Sequence, residues 1–219
     1  MWAYKNVNVH WLGHDSFVLQ GTRTVIIDPF KAAGSYKADL LLISHEHFDH
    51  LSEDDIKRFT TPATTIIASK ICESALKKFP NEKKFVTPGM KVEAKGVMVE
   101  TVPAYNTNKF REPGKVFHPK QDGRVGFVVT LDNVTFYHAG DSDLIPEMKT
   151  IDVDVAFLPV SGTYVMTAAE AADAAKAMKV KVAVPMHYGS GVVGTVKDAD
   201  EFKRLLAGNR EVVILGKES

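Results

Sequence analysis

Val7, Val9 and Trp11 alternate with Asn8, His10 and Leu12, the period of a half-buried strand. Gly13-His14-Asp15 reads as a turn, and Ser16–Leu19 returns as a second strand. Gly21-Thr22-Arg23 turns again into Thr24–Ile27, which ends on Asp28-Pro29. After a loop at Lys31–Lys37 the run Leu40-Leu41-Leu42-Ile43 is apolar at every position, as in a strand covered on both faces. A helix is predicted from Ser52, with serine as N-cap and acid three residues on, stopping near Thr60 because Pro62 disfavours helix before it. Thr64–Ala68 is a β-branched strand, and Ser69–Phe79 reads as an amphipathic helix halted by Pro80-Asn81. Lys83–Thr87, Lys91–Ala94 and Val97–Val102 read as short antiparallel strands.

Periodicity disappears from Pro103 to Arg124, which is expected to be a structureless, functional segment. Val125–Leu131 and Val134–His138 then form a hairpin pattern across Asp132-Asn133, with a helix reaching to about Thr150. Val153–Pro159 is a buried strand, Thr167–Met178 an Ala-rich helix and Lys181–Pro185 a further strand. A helix over Asp198–Ala207 and a strand over Glu211–Leu215 finish the chain. Two stretches echo each other. Thr24–Asp28 and Thr135–Asp141 are both strands ending on Asp, and Asp39–Ile43 and Asp154–Leu158 are both buried strands leading to a loop and a helix. The echo implies two β-rich layers packed face to face with helices outside, an α/β (α+β) arrangement. It is read as one domain over residues 1–219 with a site between the halves.

Composition narrows the class. The 219 residues are 45% hydrophobic and 25% charged, with 27 basic against 27 acidic side chains. A net charge of zero argues against a nucleic-acid binder, which carries a basic excess. No charged start followed by an apolar run opens the chain, and no run approaches the roughly 18 apolar residues of a membrane span. The single Cys72 excludes an internal disulfide and fits a reducing cytoplasm, the expected location.

Chemistry concentrates in His45-Glu46-His47-Phe48-Asp49-His50, where three imidazoles and a carboxylate follow the buried strand directly. Open sheets place their sites at the carboxyl ends of strands. Imidazole is the commonest metal ligand and Asp supplies a hard oxygen beside it. Asp141 follows a strand in Tyr-His-Ala-Gly-Asp, where Gly140 lets the backbone approach closely. His187 ends a strand in Pro-Met-His-Tyr-Gly, and His118 is the only His between His50 and His138. Each has a plainer alternative: a Gly-Asp turn, a satisfied core histidine, a loop histidine.

His-x-His-x-Asp-His after a buried strand resembles the signature of the metallo-β-lactamase-fold superfamily of metal-dependent hydrolases. Trp11-Leu12-Gly13-His14, Ile27-Asp28-Pro29-Phe30, Tyr137–Asp141 and Pro185–Gly189 extend the resemblance to its ascorbate-phosphate-lactonase-like branch. The resemblance implies the four-layer αββα sandwich of that superfamily. It also implies two divalent ions, Zn with Mn or Fe as alternatives. His45, His47 and His118 would bind one ion, and Asp49, His50 and His187 the other, with Asp141 bridging. Asp28 would orient a ligating imidazole, and Asp49 would also act catalytically on the attacking water. His14 and His138 are left open between pocket lining, proton transfer and structure; His10 is expected to be structural.

The expected function is hydrolysis of an ester, lactone or phosphoester bond of a small-molecule substrate by a metal-bound hydroxide. Lys109, Arg111, Lys115, Lys120 and Arg124 against Glu112 and Asp122 suggest an anionic substrate, with a solvated basic loop as the alternative. No nucleic-acid or membrane partner is expected, and homo-oligomerisation is left open. Gly-x-Ser-x-Gly and P-loop motifs are absent, against serine and nucleotide chemistry. The competing readings are a mononuclear iron dioxygenase, a nuclease acting on RNA, and a scaffold without chemistry.

Overall fold

The computed structural model describes residues 1–218. Two seven-stranded sheets carry the architecture. The first follows chain order: Trp2–Tyr4, Val7–Gly13, Ser16–Gln20, Thr24–Ile27, Leu40–Ile43, Thr65–Ser69 and Glu82–Val86. Its first four strands form an antiparallel meander, and pairing turns parallel from Thr24–Ile27 onward. The second sheet runs in space Glu211–Val212, Lys179–Met186, Asp152–Pro159, Val134–His138, Val125–Leu131, Val97–Pro103 and Lys91–Ala94. It too divides into a parallel half and an antiparallel half. The sequence echo is therefore structural: Thr24–Ile27 and Val134–His138 both stand where antiparallel pairing gives way to parallel.

Strand alternation decides the layers. In the first sheet Val7, Val9, Phe17, Leu19, Val25, Ile27, Leu40, Leu42 and Ile67 enter the core shared with the second sheet. The intervening Val18, Ile26, Leu41, Ile43, Ile66 and Ala68 face outward to Ile56, Phe59, Cys72 and Leu76. Phe17 and Phe157 stack across the interface with ring centroids 4.1 Å apart. Helices Glu53–Phe59 and Glu73–Leu76 cover one outer face; Ala168–Ala177 and Val196–Leu206 cover the other. This is the expected αββα sandwich. Among the described residues no helix is long and apolar enough to cross a membrane.

Several elements differ from their sequence reading. Glu82–Val86 pairs parallel with Thr65–Ser69, because a helical crossover connects them, and is not part of an antiparallel set. The predicted helix at Ser69–Phe79 reduces to a 3₁₀ turn at Lys70–Cys72 and one α-turn at Glu73–Leu76. The predicted helix before Thr150 is 3₁₀ over Pro146–Thr150. Trp2–Tyr4 is an unforeseen edge strand. Pro103–Arg124 is ordered by a small hairpin, Phe110–Glu112 with Lys115–Val116, and a 3₁₀ turn at Lys120–Asp122.

Candidate metal centre

The seven residues singled out as ligands come together between the sheets: six follow the carboxyl ends of Leu40–Ile43, Val134–His138 and Lys179–Met186, His118 comes from the segment after Lys115–Val116, and all but the half-buried His47 are buried. Gly140 carries the turn into Asp141 at φ +60°, and a Cβ there would lie 2.9 Å from the Val125 carbonyl oxygen. His14, Asp28 and His187 are also held at positive φ. Such strain costs about 1–3 kcal/mol per residue and clusters at functional sites.

Asp141 divides the region in two. Its Oδ2 lies 3.7 Å from His45 Nε2 and 3.4 Å from His118 Nε2. His47 Nδ1 is 3.1 Å from His45 Nε2 and 3.4 Å from His118 Nε2. Asp141 Oδ1 lies 3.2 Å from His50 Nε2 and 3.3 Å from His187 Nε2. Donors about 2.0–2.2 Å from a tetrahedral ion lie about 3.4 Å apart, so both spacings suit coordination.

The outer nitrogens fix the tautomers. Ser44 OH and N–H both donate to Asp28, which also accepts from His50 Nδ1 at 2.9 Å. Ser44 Oγ in turn accepts from His45 Nδ1 at 3.0 Å. Ser161 donates to the Thr163 carbonyl, so its Oγ accepts from His187 Nδ1 at 2.9 Å. With Nδ1 committed as donor, each Nε2 directs a lone pair inward, as in orienting partners of metal-bound imidazoles. His50 Nε2, His187 Nε2 and Asp141 Oδ1 are buried without a hydrogen-bond partner. Such orphans are rare unless an ion or water completes them. Burial works against charge on His50 and His187, but the Asp141 carboxylate outweighs it and raises both, His187 to about 9. Burial likewise opposes the Asp141 charge, yet His50 and His187 hold its carboxyl well below the usual range. The field thus favours a cation at both Nε2 atoms, whether proton or metal.

Asp28 orients His50 as the sequence suggested, and Ser44 extends its reach to His45. His118 is placed by its backbone. Its N–H donates to Asn106 Oδ1 at 2.9 Å, and its carbonyl accepts from Asn106 N–H at 2.8 Å. Asn106 Nδ2 donates to Asp143, whose carboxylate also accepts from the N–H groups of Thr107 and Asn108. Asp143 therefore straps this segment to the strand end that carries Asp141.

The remaining histidines separate cleanly. His138 donates from Nε2 to the Asp15 carbonyl and accepts the Gly140 N–H at Nδ1, a structural tie between the sheets. His10 bonds Tyr36 and Glu218, away from the centre. His14 Nε2 donates to Asp49 Oδ2 at 3.1 Å, and its Nδ1 accepts from Ser190. Burial lowers the His14 pKa to about 4, keeping it neutral. Burial raises the Asp49 carboxyl, but the His14 bond and the His50 charge outweigh this and hold it near 2. The His14 carbonyl accepts from Trp11 Nε1 and from the His187 N–H, closing the seam between the sheets.

A cavity of about 320 Å³ opens above the centre, lined by His47, Phe48, Asp49, Phe117, His118, Asp141, Tyr164 and Val192. Phe48 is 67% exposed there, more than a core aromatic would be. The cations of 109–124 do not line it. Lys109 pairs with Glu170 and Asp143, Lys120 with Glu147, Lys115 with Glu112, and Arg124 with Glu46 and Asp122.

Sequence reasoning missed Asp15, Ser44, Asn106 and Asp143, and placed Ser161 only near the expected mouth of the site, with no partner. Apart from Asp15, which follows His14 directly, they are polar residues in loops, with no spacing that marks them.

Residues 8–187 match the family model described as the β-lactamase superfamily domain. A UPF0173 metal-dependent hydrolase of Methanoregula boonei is 33% identical over 219 residues, covering 95% of this chain and 93% of its own. Another from Pyrococcus horikoshii is 32% identical over 232 residues, covering 95% and 96%. A solved structure from Parabacteroides distasonis, described as a candidate metal-dependent hydrolase, superposes with a TM-score of 0.80 at 33% identity, covering 95% of this chain and 92% of that one. With its donor sets in place at the sheet ends, the chain belongs to the β-lactamase superfamily domain family, among the UPF0173 metal-dependent hydrolases.

Proposed function

We propose that this protein is a dinuclear metal-dependent hydrolase acting on a small ester, lactone or phosphoester. The observation that carries the reading is the division of buried donors between the two oxygens of Asp141. His45, His47 and His118 would hold one ion with Oδ2; Asp49, His50 and His187 would hold the other with Oδ1. Two divalent ions, zinc with manganese or iron as alternatives, would polarise the scissile oxygen and lower the pKa of a bound water.

The protein's own groups do the rest. Asp49, kept anionic beside the His14 N–H, accepts a hydrogen bond from the attacking water and orients it. As the acyl or phosphoryl bond to the leaving group breaks, the water proton passes by way of Asp49 to that group. Phe48, Phe117, Tyr164 and Val192 take the non-reacting part of the substrate and exclude bulk water. These walls favour an apolar substituent. The basic segment no longer argues for an anionic substrate, since four of its five cations are engaged by carboxylates. The donors come from both sheets, so residues 1–219 act as one functional domain.

Native mass spectrometry tests the dinuclear reading: two ions per chain are expected, and one under saturating metal would sink it. A panel of aryl and alkyl esters, lactones, phosphodiesters and phosphomonoesters tests the reaction class. Turnover of the aryl members is expected to lead. Hydrolysis of none of them would remove the reading.

A further inference from the structure

Asp15 is fully buried, and neither of its carboxylate oxygens has a hydrogen-bond partner. A carboxyl group placed so is costly unless a positive partner completes it. The side chains grouped with it are His50, His187 and Asp141. Its Oδ2 is 3.5 Å from His50 Nε2 and 4.0 Å from His187 Nε2. Both rings already donate from Nδ1, to Asp28 and Ser161, so each inward Nε2 is left for a cation, proton or metal. Asp15 Oδ2, His50 Nε2, Asp141 Oδ1 and His187 Nε2 all lie within 4.8 Å of one another. His138 fixes the Asp15 backbone through its carbonyl, so the carboxylate is aimed rather than loose.

We infer that Asp15 is a further protein ligand of the second metal position, with His50, Asp141 and His187. The inference rests on the dinuclear reading above and deepens it. Even before Asp49 is counted, two carboxylates and two imidazoles form a harder set than the three imidazoles and one carboxylate of the first position. With Asp49, which the dinuclear reading adds, the donors would exceed the four that zinc ordinarily takes. Oxygen-rich six-coordinate shells suit manganese(II) and its like. The second position is therefore the one fitted to a hard six-coordinate ion, and the two positions are built for unlike metals.

The test uses the full chain stripped of metal and reloaded with one equivalent of zinc(II), then titrated with manganese(II) by calorimetry and electron paramagnetic resonance. Wild type is expected to take up one manganese(II) per chain. Asp15→Asn should weaken that uptake by on the order of tenfold or more, leave the zinc equivalent in place, and narrow the discrimination between the metals. Manganese uptake by Asp15→Asn equal to wild type would overturn the assignment and leave the dinuclear reading standing. Failure of wild type to hold any second ion would overturn both. Broadening by oxygen-17 water on the wild-type manganese signal gives a readout free of any folding defect in the variant. One exchangeable water is expected, and two or more would overturn the assignment.

Discussion

The two donor sets share Asp141 and differ in almost everything else. Around the first position nitrogen dominates: His45 and His47 come from one loop, and His118 comes from a segment strapped on by Asn106 and Asp143. Around the second, carboxylates dominate, and both imidazoles are braced from behind, His50 by Asp28 and His187 by Ser161. His118 Nδ1, by contrast, is buried with no partner. The second position is thus a rigid pocket built into the sheets. The first is completed by a segment whose backbone is held while its ring is not. A preorganised set binds more tightly than one that must be ordered on binding.

Replacing the shared residue should act most strongly. Asp141→Ala is expected to release at least one ion and lower kcat/KM by about a thousandfold or more, while circular dichroism shows the fold retained. Two ions and ordinary turnover in that variant would reduce Asp141 to a turn residue. His118→Ala should then separate the positions. Calorimetry is expected to show first-position affinity down by on the order of a hundredfold and the second almost untouched. Equal loss at both would erase the distinction drawn here. Asp28→Asn is expected to weaken the second position by about tenfold to a hundredfold, because His50 loses its anionic brace. Unchanged affinity would show that packing alone orients the ring. The smallest change is expected from Ser161→Ala, at most about tenfold at the second position, because a neutral acceptor braces His187 less than a carboxylate does. A larger loss than for Asp28→Asn would invert this ranking.

Much of the second position was legible because its ligands stand at strand ends. Asp49, His50, Asp141 and His187 each follow a buried strand at its carboxyl end, as His45 and His47 do. His118 was legible only by order along the chain: the hairpin that carries it has no apolar face to generate a period. Asp15 was read as part of a Gly-His-Asp turn, since carboxylates are common in turns. Only the return of Lys179–Met186 beside that turn, with the His187 N–H on the His14 carbonyl, turns a loop acid into an interior one. The layers were readable for a related reason. Leu40 and Leu42 enter one core and Leu41 and Ile43 the other, so a run without alternation still records burial on two sides. Glu82–Val86 was misread because a polar edge strand gives no sign of its direction.

Asp28 accepts from the Ser44 N–H and OH and from His50, and Ser44 in turn accepts from His45. One carboxylate therefore sets the orientation of an imidazole on each side of Asp141. On the dinuclear reading, loss of that one carboxylate would therefore disturb a ligand of each ion. Any effect of one ion on the affinity of the other would be equal in both directions.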